Sequence, residues 1–146
     1  MKIKICGFFD EFRFLSNFYP ARVMMVNEWY PTTEHAYQAA KTSSGSEREM
    51  IREAKTAGIA KRMGAAVEMR PDWDEVKVTI MYELTVEKFK DPVLRAKLLA
   101  TQDWYLEETN SWGDKYWGVC DGEGLNMLGH TLMAVRNEIR KSMASL

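Results

Sequence analysis

The chain predicts an α+β fold, a mostly helical single domain over residues 1–146 with a small β-sheet. Three observations carry that expectation. Thr33–Lys41 follows two hydroxyl cap candidates and separates into a polar and an alanine side at helical spacing. Trp73–Lys90 and Leu125–Met143 repeat apolar residues at intervals of about three and four. The remaining candidate strands are short and bounded by turn residues, too few for a sheet-dominated fold.

In chain order, Lys2–Phe9 alternates weakly and reads as a strand. Phe12–Pro20 is aromatic-rich and ends in proline, so it reads as loop or short strand, and Arg22–Val26 with Glu28–Tyr30 reads as a β hairpin. Pro31 precedes Thr32 and Thr33, either of which can cap the first helix. After a break at Ser43–Ser46, Glu47–Thr56 and Ile59–Ala66 read as two short helices hinged near Gly58. Asp72 caps the long helix, and Asp91-Pro92 starts another running to Ala100, since proline is tolerated in a first turn. Asp103–Asn110 and Lys115–Val119 read as strands, Gly122 and Gly124 as a turn, and Leu125–Met143 as the final helix with Leu125, Leu128, Leu132, Val135 and Ile139 in one stripe.

Composition narrows the function classes. A net charge of −1 supplies no global attraction to nucleic acid or an anionic membrane, although local cations can still bind a phosphate. No apolar run is long enough to cross a bilayer, and MKIKICGFFDEF is too short in its apolar part and too acidic afterwards for a signal peptide, so the cytoplasm is the expected compartment. Cys6, Cys120, His35 and His130 have no metal-ligand spacing, and buried free thiols are the plain expectation for both cysteines. No Cys–His spacing suggests a nucleophile pair, and no strand-turn-helix serine elbow is present.

Several charged residues sit where packing alone does not want them. On the first helix, Glu34, Tyr37, Gln38 and Lys41 fall within about 60° of one direction, a polar face suited to binding and acid/base work. Lys77 lies inside the apolar stripe of the long helix and Lys88 near its middle. Either the stems cover the core while the amines reach water, or the amines meet an anion. If Tyr105–Thr109 is extended, an inward Leu106 carries Glu108 inward while Glu107 points away; the alternative is an exposed edge with Glu108 solvated. The stretch 110–129 collects two tryptophans, five glycines, Asp114, Asp121 and Asn126, a composition suited to a flat ligand, but its G-x-G completes no phosphate-loop fingerprint. Arg136 flanks the last helix's stripe, where an ion pair and a phosphate contact are both open.

Six ordered blocks, FLSNFYP, PTTEHAYQAAK, DWDEVKVTIM, Lys88-Phe89, YLEE with WGDKYWG, and GLNMLGHTLMAVR, cover nearly the whole chain and resemble the NADAR, or YbiA-like, family. The resemblance implies a YbiA-like fold and an N-glycosidase. Its substrate would be a phosphoribosylamino-pyrimidine of the riboflavin pathway, or ADP-ribose on guanine, in a metabolite or in nucleic acid. It implies functional roles for Glu34, Trp73, Lys77, Glu108, Asp114, Trp117, Asn126 and Arg136. In that reading Glu34 is the carboxylate at the anomeric centre and Glu108 or Asp114 the second acid. Lys77 and Arg136 hold phosphate with Lys41 or Lys88 in reserve, while Trp73 and Trp117 border the base. No metal or redox cofactor is needed. A non-catalytic ADP-ribose-binding module is the alternative, and the oligomeric state is open. The chain departs from the family pattern at LLATQDWYLEE and NSWGD, which puts the pocket near Asp114 in question.

Overall fold

The computed structural model describes residues 3–145. Helix dominates, accompanied by three separate two-stranded ladders in place of one small sheet. The chain groups into two compact units, Asn17–Lys88 and a second built from the segments on either side of it.

In the Asn17–Lys88 unit, β2 (Val23–Met25) and β3 (Glu28–Tyr30) form an antiparallel hairpin. Its turn places Val26 and Asn27 at positive φ, the backbone that matches a two-residue connection to the strand twist. Four helices follow: α1 (Thr33–Ala40), α2 (Gly45–Arg52), α3 (Ala57–Gly64) and α4 (Trp73–Lys88). Side-chain oxygens of Thr32, Ser44 and Thr56 accept from backbone N–H groups at the starts of the first three. The Thr56 cap corrects the hinge expected near Gly58, because it starts α3 at Ala57 and leaves Gly58 inside the helix. All eight residues of α1 are buried, and α2, α3, α4 and the hairpin pack around it. The expected alanine side, Ala36, Ala39 and Ala40, makes this close approach sterically possible.

The second unit contains β1 (Lys4–Cys6), a 3-10 helix at Asp10–Leu15 where loop or strand was expected, α5 (Pro92–Leu99) and α6 (Met127–Ala144). Its short strands are β4 (Tyr105–Glu107), β5 (Thr109–Asn110) and β6 (Val119–Cys120). β1 pairs in parallel with β4, and β5 in parallel with β6. β1 is shorter than the expected strand, and Lys2 lies outside the described residues. Its alternation exposes Cys6, which corrects the expected buried thiol; Cys120 is buried. The last helix starts later than expected, because Asn126 adopts left-handed backbone and precedes it as the cap position. Leu125 therefore falls outside the helix and is exposed, whereas Leu128, Leu132 and Val135 form the buried stripe. No helix among the described residues is long and apolar enough to cross a membrane.

Lys88 does not snorkel. It is 2% exposed, its amine 5.9 Å from the centre of the Tyr19 ring. Burial pulls its pKa from 10.5 down to about 7. Between those values the unfolded chain holds the proton and the folded chain does not, so this group makes stability rise with pH across about 7–10.5. The urea midpoint is expected to increase from pH 7 to pH 9, at up to about 1.4 kcal/mol per pH unit from this residue. Lys88→Met should flatten that slope and be the more stable protein at pH 7. Equal slopes in the two proteins would contradict the assignment.

Candidate active site

In the Asn17–Lys88 unit the candidate residues converge on α1. Glu34 lies in its first turn and is only 7% exposed; its backbone N–H donates to the Asn17 carbonyl at 3.1 Å. Oε1 of Glu34 accepts from Nε2 of Gln38, one turn on, at 2.7 Å. Neighbouring His35 points elsewhere: its ring joins Thr32 Oγ1 at 2.7 Å and the Ala54 carbonyl at 2.9 Å, fastening α1 to the end of α2. His35 is thus a buried structural histidine, in keeping with its offset from Glu34 on the helix wheel.

The polar face continues through Tyr37 and Lys41. Tyr37 packs against Trp73 with ring centres 5.1 Å apart and an interplanar angle of 57°, while the Lys41 amine lies 5.7 Å from the Tyr37 ring centre. Trp73 is 4% exposed, which makes it a wall of this region. Burial lowers the pKa of Lys41, Glu34 pulls it back up, and the charges of Lys61 and Lys77 lower it further. Glu34 and three ammonium groups therefore share one electrostatic neighbourhood. Lys77 is half-buried, its amine 3.2 Å from Asp74. Asp74 is largely exposed, so that pair by itself is a weak anchor. Lys61, on the solvent side of α3, escaped the sequence reading because an exposed helix lysine carries no pattern signal.

The second unit holds a separate polar cluster. β4 ends at Glu107, and pairing passes from β1 to β6 at the intervening Glu108. The expected alternation breaks there: Glu107 is buried beside Leu106, with its carboxylate 3.0 Å from the Lys4 amine and accepting from the Thr109 hydroxyl at 2.6 Å. Glu108 is half-buried, and its Oε2 accepts from Asn110 Nδ2 at 2.9 Å. A Cβ on Gly118 would stand 1.8 Å from that same Oε2, so the carboxylate lies directly across the glycine.

Asn126 and Asp114 are framework residues here. Asn126 Oδ1 accepts from the Glu108 N–H at 2.9 Å, while Nδ2 donates to the Leu106 carbonyl at 2.9 Å and the Tyr105 hydroxyl at 3.2 Å. It is 2% exposed and consumed by holding β4. Asp114 Oδ1 accepts from the N–H groups of Tyr116 and Trp117, closing a turn that replaces most of the strand expected at Lys115–Val119. Asn110 ties the two acids together, donating to the Asp114 carbonyl at 2.8 Å and accepting from its N–H at 3.0 Å. Trp117 is half-buried edge-on against Tyr116, with ring centres 5.0 Å apart. Arg136 is buried, with Nη1 donating to Thr101 Oγ1 at 2.9 Å and the Trp104 carbonyl at 3.0 Å. Those contacts tie α6 to the chain between α5 and β4, a framework duty beside the ion pair and phosphate contact left open by the sequence. Among the described residues no cluster of three or more His, Cys, Asp or Glu side chains is placed to hold a metal.

The NADAR-domain model matches residues 7–140. This chain belongs to the NADAR family. It is 38% identical over 136 residues to the N-glycosidase Npun_R5314 of Nostoc punctiforme, covering 88% of this chain and 86% of that protein. It is 35% identical over 134 residues to the N-glycosidase YbiA of Escherichia coli, covering 89% and 83%. The riboflavin biosynthesis protein VVA0006 of Vibrio vulnificus is 37% identical over 132 residues, where the match spans 88% of this chain but 36% of the longer protein. The NMR structure of E. coli YbiA superposes on the whole chain and 90% of its own with a TM-score of 0.88 and 32% identity. The NADAR domain thus accounts for the α+β, mostly helical fold.

Asn126→Ala removes three polar contacts and puts a β-carbon residue without a compensating amide into left-handed backbone. The expected loss is about 3 kcal/mol of unfolding free energy, read by urea denaturation. A loss below about 1 kcal/mol would mean that Asn126 does not hold β4.

Proposed function

We propose that this NADAR-family chain is an N-glycosidase that hydrolyses the bond between an anomeric carbon and the nitrogen of a heterocycle in a phosphoribosylated or ADP-ribosylated substrate. The observation that carries the reading is the buried Glu34 carboxylate, hydrogen-bonded by Gln38 and coupled to the Lys41 ammonium, which Lys61 and Lys77 also influence. Breaking such a bond develops positive charge on the ribose ring, which a carboxylate stabilises, while the phosphates of the same substrate need cations. One electrostatic neighbourhood offering an acid and several ammonium groups supplies both.

In this mechanism Glu34 faces the anomeric carbon. As the carbon–nitrogen bond lengthens, the bonding pair leaves with nitrogen and Glu34 stabilises the oxocarbenium-like ring. A water then forms the new carbon–oxygen bond, and its proton passes to Glu34. The departing nitrogen takes a proton from an acid, a role the family resemblance assigns to Glu108 or Asp114. Asp114 Oδ1 accepts from two backbone N–H groups and Glu108 Oε2 accepts from Asn110 Nδ2, so both acids are already met by donors. Lys41, Lys61 and Lys77 hold phosphate, and Trp73 borders the heterocycle. Asn126 and Arg136 support the framework in this reading, and Trp117 is a second candidate base contact. The riboflavin-biosynthesis name of the Vibrio relative favours a phosphoribosylamino-pyrimidine metabolite in the cytoplasm. ADP-ribosylated nucleic acid is the competing substrate.

Mass spectrometry of reactions with either substrate class tests the proposal. Wild type should release free ribose phosphate or ADP-ribose, whereas tight binding without release from any substrate would make the domain a binding module. Glu34→Gln should lower turnover by at least about 10²-fold, with ligand affinity within a few-fold. Unchanged turnover removes Glu34 from the chemistry. Lys77→Ala should raise KM about tenfold with kcat little changed, because it removes a contact made to phosphate before and during reaction. A selective fall in kcat would place Lys77 at the reacting bond instead.

A further inference from the structure

We propose that Gln38, seated against Gly64, is a positioning residue that holds Glu34 as the anion and so assigns it the charge-stabilising and base role, not that of proton donor. The inference rests on the reading of Glu34 given above and adds the device that fixes its state.

Three observations meet at this contact. Gln38 Nε2 donates to Glu34 Oε1 at 2.7 Å, across one turn of a helix whose residues are all buried. An ionised carboxylate only accepts, so a facing NH2 group favours the anion over the acid. Second, the other end of the same amide, Oε1, is buried with no hydrogen-bond partner among the described residues. Reversing the amide would put its oxygen against a carboxylate oxygen. The orientation is therefore set by Glu34 and kept although the carbonyl end gains nothing from it.

Third, α3 makes room for this arrangement. A Cβ on Gly64 would lie 1.9 Å from Gln38 Oε1, 2.6 Å from its Cδ and 2.9 Å from its Cβ. The last of these is bonded directly to the Gln38 backbone and cannot swing aside. Gly64 is not at positive φ, so its requirement is spatial. Glycine is a poor helix former, and its use at the end of α3 is accounted for by the amide that occupies the space of a side chain. α3 thereby braces Gln38 from behind and directs its NH2 group at Glu34.

Other charges stand on the elements packed on α1. Lys41, which follows α1, is coupled to Glu34 and also feels Lys61 on α3 and Lys77 on α4. On α2, Glu47 accepts from the Thr42 hydroxyl and Arg48 donates to the Thr42 carbonyl, both beyond the far end of α1. Glu28 on β3 is exposed. Gln38 adds to this field a direct hydrogen bond to Glu34 Oε1 from α1 itself.

The decisive experiment follows the Glu34 carboxyl by side-chain carbon NMR in the full chain, with the resonance assigned from Glu34→Gln. Gln38→Met keeps the bulk and removes the donor. Its Glu34 titration midpoint should rise by about one pH unit. The acid limb of the kcat profile should move upward by the same amount, with KM within a few-fold. Gly64→Ala, which displaces the amide from α3, should move the midpoint in the same direction and serves if Gln38→Met does not fold. A Glu34 midpoint unchanged in a folded variant overturns the proposal, as does a shifted midpoint that leaves the pH profile in place. If Glu34→Gln retains turnover, the catalytic reading of Glu34 falls, while the titration still decides whether Gln38 governs its charge.

Discussion

Burying a carboxylate on a helix with no exposed face is the constraint that organises the Asn17–Lys88 unit. Glu34 cannot shed its charge cost to water, so the surrounding elements answer it. Gln38 supplies a donor from the same helix, Lys41 supplies opposite charge, and α3 presents a glycine where any larger residue would push the donor away. The alanines of α1 let helices close around it, and the Thr32–His35–Ala54 link fixes its start. Together they make sense as the enclosure of one acid.

The second unit solves a similar problem by different means. Glu108 sits where one ladder ends and another begins, a position with little regular backbone support. Its N–H is held by Asn126, its carbonyl accepts from the Val119 N–H at 2.8 Å, and its carboxylate is held by Asn110. Side-chain amides thus perform work that a longer sheet would leave to the backbone. That explains why asparagine is placed at both 110 and 126, and why glycine at 118 is crossed so closely by a side chain.

Much of this was legible in the sequence, for identifiable reasons. The start of α1, the hairpin and the long helices follow from caps and periodicity, which are local. Lys88 was recognisable as misplaced because an ammonium interrupts an apolar stripe, although the choice between snorkelling and burial needed the fold. Gly58 misled because its flexibility lost to the cap made by Thr56 two residues earlier. Leu125 fitted the helical stripe, but the left-handed Asn126 cut the helix short. Asn126 and Asp114 were seen as site residues through family resemblance, yet their hydrogen-bond duties depend on partners brought together by the tertiary fold, as with the Leu106 carbonyl twenty positions away. Lys61 and Gly64 gave no pattern at all, since their significance lies in what α3 packs against.

The reciprocal bonds between Asn110 and Asp114 have a consequence for how this domain can diversify. They fasten the two feet of the short, exposed stretch Ser111-Trp112-Gly113. The departure from the family pattern at NSWGD falls on this stretch. The exposed residues 111–113 are thus held at both ends by Asn110 and Asp114, so a change of side chain there leaves the two anchoring bonds in place.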